Sequence, residues 1–380
     1  MIDLINKLFS EGFIYIFIYL LLFVFVILES LSDYSRYKYY LFYFSCTILF
    51  FFTALRWETG TDWFSYKNLF DEVSLNFDEV FFLQIYSFDF GYVFLNIFIK
   101  YLSNSYTLLL VIDSFIALAL VYLFIKKYSP KPNISIFLFY NAFFVAQYMG
   151  SNRRIIAIGL ILFVFAKIIR KKKVWIYQII AFLFHKSSMI GLLSFCIPKK
   201  RIPYKKIFLL LFLSVIIGYF QLTFKMLELI SMNLSNLSGF SIIDKLNGYT
   251  VGSEQIELGA RDPILMMVLS TVKRLVFLIF YLLIIRTRIG ILDNITDFFF
   301  NIYVTGFALY LLLNGSEVIQ VLSSYFTFIE IVLIGRFWNY ANSKQKNYFL
   351  PILFIYGFFQ LVSSLNAYPE LYIPYKSVFL

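Results

Sequence analysis

Apolar residues in this chain fall into long runs separated by short polar clusters. A membrane-crossing helix needs about 20 mostly apolar residues, within a range of roughly 17–25. Runs of that kind lie near 12–29, 39–55, 105–125, 134–150, 154–169, 207–222, 264–285, 295–313, 318–335 and 349–365. They predict an all-α polytopic membrane protein with about 10–12 transmembrane helices, forming a single integral membrane domain over 1–380. Segment 174–197 is also apolar, but His185-Lys186-Ser187-Ser188 interrupts its middle. Segment 69–83 has apolar residues at the helical period and reads as an amphipathic helix lying in the interface. Segment 90–102 is too short to span and reads as a partly embedded helix. Asp3 and Glu11 precede the first run and no small-residue cleavage site follows, so that run reads as an uncleaved first span.

Basic residues orient such a chain, because cytoplasmic loops carry the excess of Lys and Arg. Clusters stand at Arg36/Lys38, Lys126/Lys127/Lys131, Arg170 to Lys173, Lys199 to Lys206, Arg286/Arg288 and Arg336/Lys344/Lys346. They share one side only if 174–197 enters and leaves on the same face, as a helical hairpin or re-entrant segment with His185 at its tip. The other side then holds two periplasmic loops. Residues 56–89 are acidic and contain the amphipathic helix. Residues 223–262 are rich in Ser, Asn and Gly and end at Arg261-Asp262-Pro263, where Asp262 and Pro263 read as the start of the next helix.

Composition sharpens the picture. Hydrophobic residues make up 61% of the 380 and charged residues 14%, against about 45–50% and 25% in soluble domains. There is too little polar surface for a water-soluble fold, and too much apolar content for disorder. Cys46 and Cys196 both lie in apolar stretches, which excludes a disulfide-stapled secreted domain. The net charge of +11 is placed as topology requires, so no nucleic-acid partner is implied. Phe and Tyr are abundant beside Ile, Asn and Lys while Ala is scarce, a pattern that codon bias also produces.

Several polar residues fall where topology does not ask for them, and ionisable groups at membrane depth are expensive. His185 is the single histidine. It suits a general base or proton shuttle, because imidazole titrates near neutrality; an interhelical hydrogen-bonding role is the alternative. One His with no Cys/His spacing leaves no metal site. Arg153 and Arg154 follow Ser151-Asn152 at a turn, where two guanidiniums could clamp a phosphate bidentately or snorkel to headgroups. Lys273 and Arg274 lie about 15 Å into an apolar helix and need a carboxylate such as Glu317 or Glu330, or an anionic ligand. The stretch Arg56-Trp57-Glu58-Thr59-Gly60-Thr61-Asp62-Trp63-Phe64-Ser65-Tyr66 combines a cation, carboxylates, a permissive glycine and rings. Those are the parts of a sugar site, and also of an interfacial aromatic belt. The repeated Asp-Glu-Val at 71–73 and 78–80 reads as a solvated helix face rather than a metal site.

Four of these elements resemble, in order, motifs of the EpsG-like, Wzy-type bacterial polysaccharide polymerases. Arg56-x3-Gly60-Thr61-Asp62-Trp63-x2-Tyr66 is similar to that family's Arg…Gly-Thr-Asp-Tyr…Tyr motif. Asp89-Phe90-Gly91-Tyr92 is similar to its Glu-x-Gly-Tyr element, with Asp for Glu. Asn152-Arg153-Arg154-Ile155-Ile156-Ala157 resembles Arg-Gln-x-x-Ala, with Arg154 where Gln is usual. Phe184-His185-Lys186-Ser187-Ser188 resembles Phe-His-x-Ser-Ala. The motifs span residues 56–188. The C-terminal half resembles the family only in span pattern.

The resemblance implies a GT-C-like glycosyltransferase of the bacterial inner membrane with its active site facing the periplasm. Such polymerases join undecaprenyl-diphosphate-linked oligosaccharide units, donor to acceptor, into O-antigen or capsule. They work beside a chain-length regulator and a flippase, surrounded by membrane lipid, and need no cofactor. On that reading His185 is catalytic, and Arg153, Arg154, Arg56, Arg274 and Arg261 bind the diphosphate. Asp62, Trp63, Tyr66, Asp89 and Tyr92 bind sugar. A lipid-linked glycan flippase or exporter would need the same cations but no base, and would usually show internal repeats; none is visible. A membrane-bound O-acyltransferase also uses a lone His, but the arginines fit it poorly.

Overall fold

The computed structural model describes residues 2–31, 35–75, 88–234, 263–287, 293–315, 317–366 and 368–379. Described residues are almost all helical, with one isolated antiparallel bridge, Arg56 to Ser377, as the extended pairing. The protein is thus an all-α polytopic membrane protein. Five helices among the described residues are long and apolar enough to cross a membrane: Phe13–Ser30, Tyr106–Tyr128, Asn294–Leu312, Val321–Tyr340 and Ser343–Leu365. The pair Tyr204–Tyr219 and Leu222–Ile230, bent by 57°, makes a sixth if counted as one span.

That is fewer than the sequence pattern suggests, although helices occupy nearly every expected run. Lys38–Ala54 has 17 residues. Asn152–Ile169 carries Arg153, Arg154 and Lys167. Pro132–Phe139 passes at Tyr140 into a π-helix that runs to Tyr148. Hydropathy finds the apolar run in each case, while helix breaks and charged residues shorten the continuous apolar helix.

The chain forms two compact units, Met1–Met189 with Glu330–Leu380, and Ile190–Ile329. The first unit is built around Pro132–Tyr148, whose side chains are buried on every side from Pro132 to Asn141. A helix apolar all round belongs in an interior. Two tyrosine hydroxyls inside this unit donate to backbone carbonyls: Tyr19 to Phe354 O at 2.5 Å and Tyr140 to Tyr15 O at 2.9 Å. In the second unit Arg201 pairs with Asp297 at 2.9 Å. There Asn301 also holds the carbonyls of Pro198 and Lys200 at 2.7 and 2.8 Å.

The apolar segment 174–197 is two short helices, Trp175–Phe184 and the tighter Lys186–Cys196, with His185 extended between them. Gln178 Nε2 donates to Ser188 O at 2.9 Å. A straight helix would put ten residues about 15 Å apart, so the chain bends at His185. Residues 56–89 contain the helix Trp63–Glu72, which starts earlier than the amphipathic period indicates and ends at Val73. The remainder of that amphipathic segment lies largely outside the described residues. Leu222–Leu234 is helical where a loop was expected from 223; its apolar positions recur at helical spacing among the Ser and Asn. The rest of that loop, with Arg261 and Asp262, lies outside the described residues, and the following helix starts at Pro263.

The basic pattern predicts that positions 172 and 200 face the same side, with the bend at His185 as the tip of a hairpin. Cysteine labelling in a Cys196→Ser background should modify both from one side of sealed vesicles. The background is needed because Cys196 is exposed while Cys46 is buried. Labelling from opposite sides would remove the hairpin orientation.

Candidate active site

The first motif begins where the helix Lys38–Ala54 ends. The C-terminal segment holds its backbone: Trp57 N donates to Lys376 O at 2.9 Å, Gly60 N to Leu371 O at 3.0 Å, and Val378 N to Leu55 O at 2.9 Å. Lys376 also pairs with Glu58 at 2.8 Å. Gly60 has φ of 116°, and a Cβ there would collide with the Met149 carbonyl oxygen. Only glycine meets both conditions cheaply. Thr61 Oγ1 then donates to Gly150 O at 3.1 Å. The Gly-Thr pair is therefore a docking device that seats the first motif on the turn leading into Asn152–Ile169. The π-helix delivers that turn, closing with Met149 N on Phe144 O at 2.9 Å; π-type turns often mark functional sites.

Asp89 begins the helix Phe90–Leu102 and is 4% exposed. Its Oδ2 accepts from Arg153 Nη1 at 2.8 Å, and its Oδ1 accepts from the Lys186 amide at 3.2 Å. His185 Nδ1 stands 4.0 Å from Asp89 Oδ2. One buried carboxylate thus joins the second, third and fourth motifs. Gly91 makes this approach possible, because a Cβ there would press on the Leu183 backbone at 3.0 Å. His185 Nδ1 also lies 2.9 Å from Ser187 Oγ. The Ser187 amide also donates to Nδ1, at 3.4 Å, and an imidazolium formed there would face the Asp89 carboxylate.

Arg153 is the centre of the charge cluster. Beyond Asp89, its guanidinium lies 4.9 Å from the centre of the Phe88 ring, and the Tyr66 phenol lies beside it. Tyr66 OH is also 3.2 Å from Ser151 Oγ. Burial, with Asp62 second, holds the Tyr66 phenol above its ordinary range, so it remains a neutral hydrogen-bonding group. Arg153 and Arg154 occupy the first turn of an 18-residue helix. Cations are disfavoured at that end of a helix dipole, and anions are favoured. The two arginines there meet two carboxylates, Asp89 and Asp62.

Asp62 is half-buried beside the arginines. Burial raises its carboxyl above the usual aspartate range, against the opposing pull of Arg154 and Arg153. A carboxyl raised on folding stabilises the fold at low pH, and that contribution is lost as pH rises from the unfolded value through the folded one. Asp62→Asn removes the titration. The variant's Tm should therefore equal or exceed that of the native chain at neutral pH, with the advantage shrinking as pH falls into the carboxylate range. A pH series of detergent-solubilised melting curves checks this, and a lower Tm for the variant at neutral pH would contradict it.

Other expected contacts are placed differently. Arg56 is 1% exposed. It donates to Thr53 O at 3.0 Å, to Thr53 Oγ1, and to Asn152 Oδ1 at 2.6 Å. It braces the start of the arginine helix from behind rather than joining a phosphate surface. Tyr92 is fully buried and accepts from Asn152 Nδ2 at 3.3 Å. Trp63 packs against Trp57 and Tyr106 in an aromatic core, with ring centres 5.0 and 5.4 Å away. Neither Trp63 nor Tyr92 offers a face for stacking a sugar. Arg274 belongs to the second unit, with its guanidinium 3.8 Å from the Tyr310 ring centre. The Lys273 and Glu317 side chains and Arg261 lie outside the described residues.

Asn152 is the residue that sequence reasoning passed over: buried, it joins Arg56 to Tyr92 directly in front of Arg153. Its signal was an amide at the helix start, directly before the arginine pair. Among the described residues no three His, Cys, Asp or Glu side chains stand close enough to hold a metal ion.

The assembled cluster is Asp62, Tyr66, Asp89, Arg153, Arg154 and His185, drawn from all four motifs. No curated protein and no solved structure matches the chain. A family model, that of the EpsG family, matches residues 39–377. The match runs through all four motifs and nearly the whole C-terminal half, and the chain belongs to the EpsG family.

Proposed function

We propose that this EpsG-family protein is a membrane glycosyltransferase that polymerises oligosaccharide units carried on undecaprenyl diphosphate, at the periplasmic face of the inner membrane. The observation that carries this is one buried carboxylate shared by three of the motifs, with Asp89 bound to Arg153 and beside His185. A base and a guanidinium pair in one half-buried site are what transfer from a lipid diphosphate requires. The His185 imidazole takes the proton of the acceptor hydroxyl while the hydroxyl oxygen bonds to the donor anomeric carbon. The bond from that carbon to the diphosphate breaks, and the leaving anion is held by Arg153, Arg154 and the helix terminus. Direct displacement inverts the anomeric centre. Asp62, at the rim, is the carboxylate placed to accept sugar hydroxyls. A flippase would use the cations and leave His185 without a task.

A guanidinium presents a planar fork of five donors, and an ammonium does not. Asp89 occupies one terminal Arg153 nitrogen, and the phosphate takes the other. Arg153→Lys should therefore keep the protein in the membrane and lose about 10²-fold or more in polymer formation, the size of effect seen when a charge-stabilising donor is removed. Chelation by EDTA should leave native activity intact, since the guanidiniums supply the charge. Polysaccharide gels from a strain carrying only the variant test the first point: full-length ladders at normal protein abundance would remove Arg153 from the phosphate site. In a strain without the protein, single repeats on the surface support polymerisation, and absence of any repeat supports export.

A further inference from the structure

Away from the motif cluster, the first unit has a concave apolar groove of about 600 Å³ between Lys38–Ala54 and Tyr106–Tyr128. One wall carries Phe42, Cys46 and Phe50, and the other carries Phe115, Leu118 and Tyr122, with Ala119 between. The small side chains of Cys46, Thr47 and Ala119 make the surface concave. Hydroxyls in the groove are turned to the backbone: Thr47 Oγ1 donates to Tyr43 O at 3.0 Å and Tyr122 OH to Cys46 O at 3.4 Å. One charged residue lines it, Lys126, at the end beside Tyr43. Its ammonium stands 5.2 Å from the Tyr43 ring centre.

We infer that this groove holds one acyl chain of an anionic phospholipid from the cytoplasmic leaflet, with its phosphate on Lys126. Depth supports this. From Phe42 to Phe51 the helix rises about 14 Å, close to half of the roughly 30 Å hydrocarbon core. The groove is therefore one leaflet deep and closes near the midplane. Charge supports it as well: the single cation is at the end that the basic clusters place in the cytoplasmic headgroup layer, with Lys38 and Lys127 nearby in sequence. A polyprenyl diphosphate bound at Arg153 would have its phosphates at the opposite ends of these helices, near Arg56, where the groove has no cation. The proposal depends on the orientation of the chain and not on the chemistry at His185.

Photo-crosslinking the full-length protein in vesicles tests it. The probes are phosphatidylglycerol and phosphatidylcholine carrying the same diazirine halfway along one acyl chain. The expected result is labelling at Phe50 and Phe115 that favours phosphatidylglycerol by about fivefold, the ratio that one lysine near an anionic surface supplies. Lys126→Gln should abolish the preference and Lys127→Gln should keep it. Ala119→Trp, which fills the groove, should lower labelling by both probes. Equal labelling with the two headgroups, or a preference that survives Lys126→Gln, would overturn the inference. So would stronger labelling of the same residues by a polyprenyl-phosphate probe, which would assign the groove to the substrate lipid.

Discussion

His185→Ala is expected to reduce polymer formation by 10²–10⁴-fold, the usual contribution of a positioned general base, while the protein still accumulates in the membrane and binds lipid diphosphate. A sugar hydroxyl is a weak nucleophile at neutral pH, so its proton must leave as the new bond forms. His185 is partly accessible, its side chain 21% exposed, which allows an acceptor hydroxyl to reach it. Substitution removes little packing there: the backbone turn is held separately by Asp89 on the Lys186 amide and by Gln178 on Ser188 O. His185→Gln keeps a polar side chain of similar length and should be equally inactive, whereas a purely hydrogen-bonding role would tolerate it. Binding of a labelled lipid diphosphate together with polymer yield separates the two cases. Normal yield from either variant would leave His185 as an interhelical hydrogen-bond partner.

Asp89→Asn is expected to be nearly as damaging, by a different route. Asparagine can still accept from the Lys186 amide, but it no longer neutralises Arg153 or faces a charged His185. Breaking a buried ion pair by removing one partner typically costs about 3–5 kcal/mol. The pair here is partly exposed, with Arg153 at 22%, so the loss of stability should be at the low end or below. Asp89→Asn should therefore weaken lipid-diphosphate binding and lower turnover together, while His185→Ala lowers turnover alone. Asp89→Glu keeps the charge and should restore most of both. Asp89→Asn with unchanged binding and turnover would show that Arg153 needs no organising carboxylate.

The helices, and the motif residues that meet in the cluster, were legible in the sequence for physical reasons that also mark where legibility stops. Apolar runs announce helices because a backbone in lipid must satisfy its own hydrogen bonds. The break at His185 was visible as polar residues in an apolar run. Gly60 and Gly91 were visible as motif glycines, but what each one touches, the Met149 carbonyl and the Leu183 backbone, is set by segments far along the chain. Arg56 shows the limit most clearly. A buried arginine and a phosphate-binding arginine look the same in sequence, and only the partners Thr53 and Asn152 separate them. Trp63 and Tyr92 raise the same ambiguity for rings, since a packed face and a stacking face have one composition. The C-terminal segment over Leu371–Val378 gave no pattern that linked it to residues 55–60, because backbone pairing carries no side-chain signature.

The most direct measurement supplies purified protein in lipid vesicles with a synthetic polyprenyl-diphosphate-linked repeat unit and follows both chain length and the configuration of the new linkage. The account predicts lipid-linked dimers and longer chains from native protein, with inversion at the donor anomeric carbon and EDTA without effect, and the unreacted repeat unit from His185→Ala. Movement of the repeat unit across the bilayer with no new glycosidic bond would contradict it.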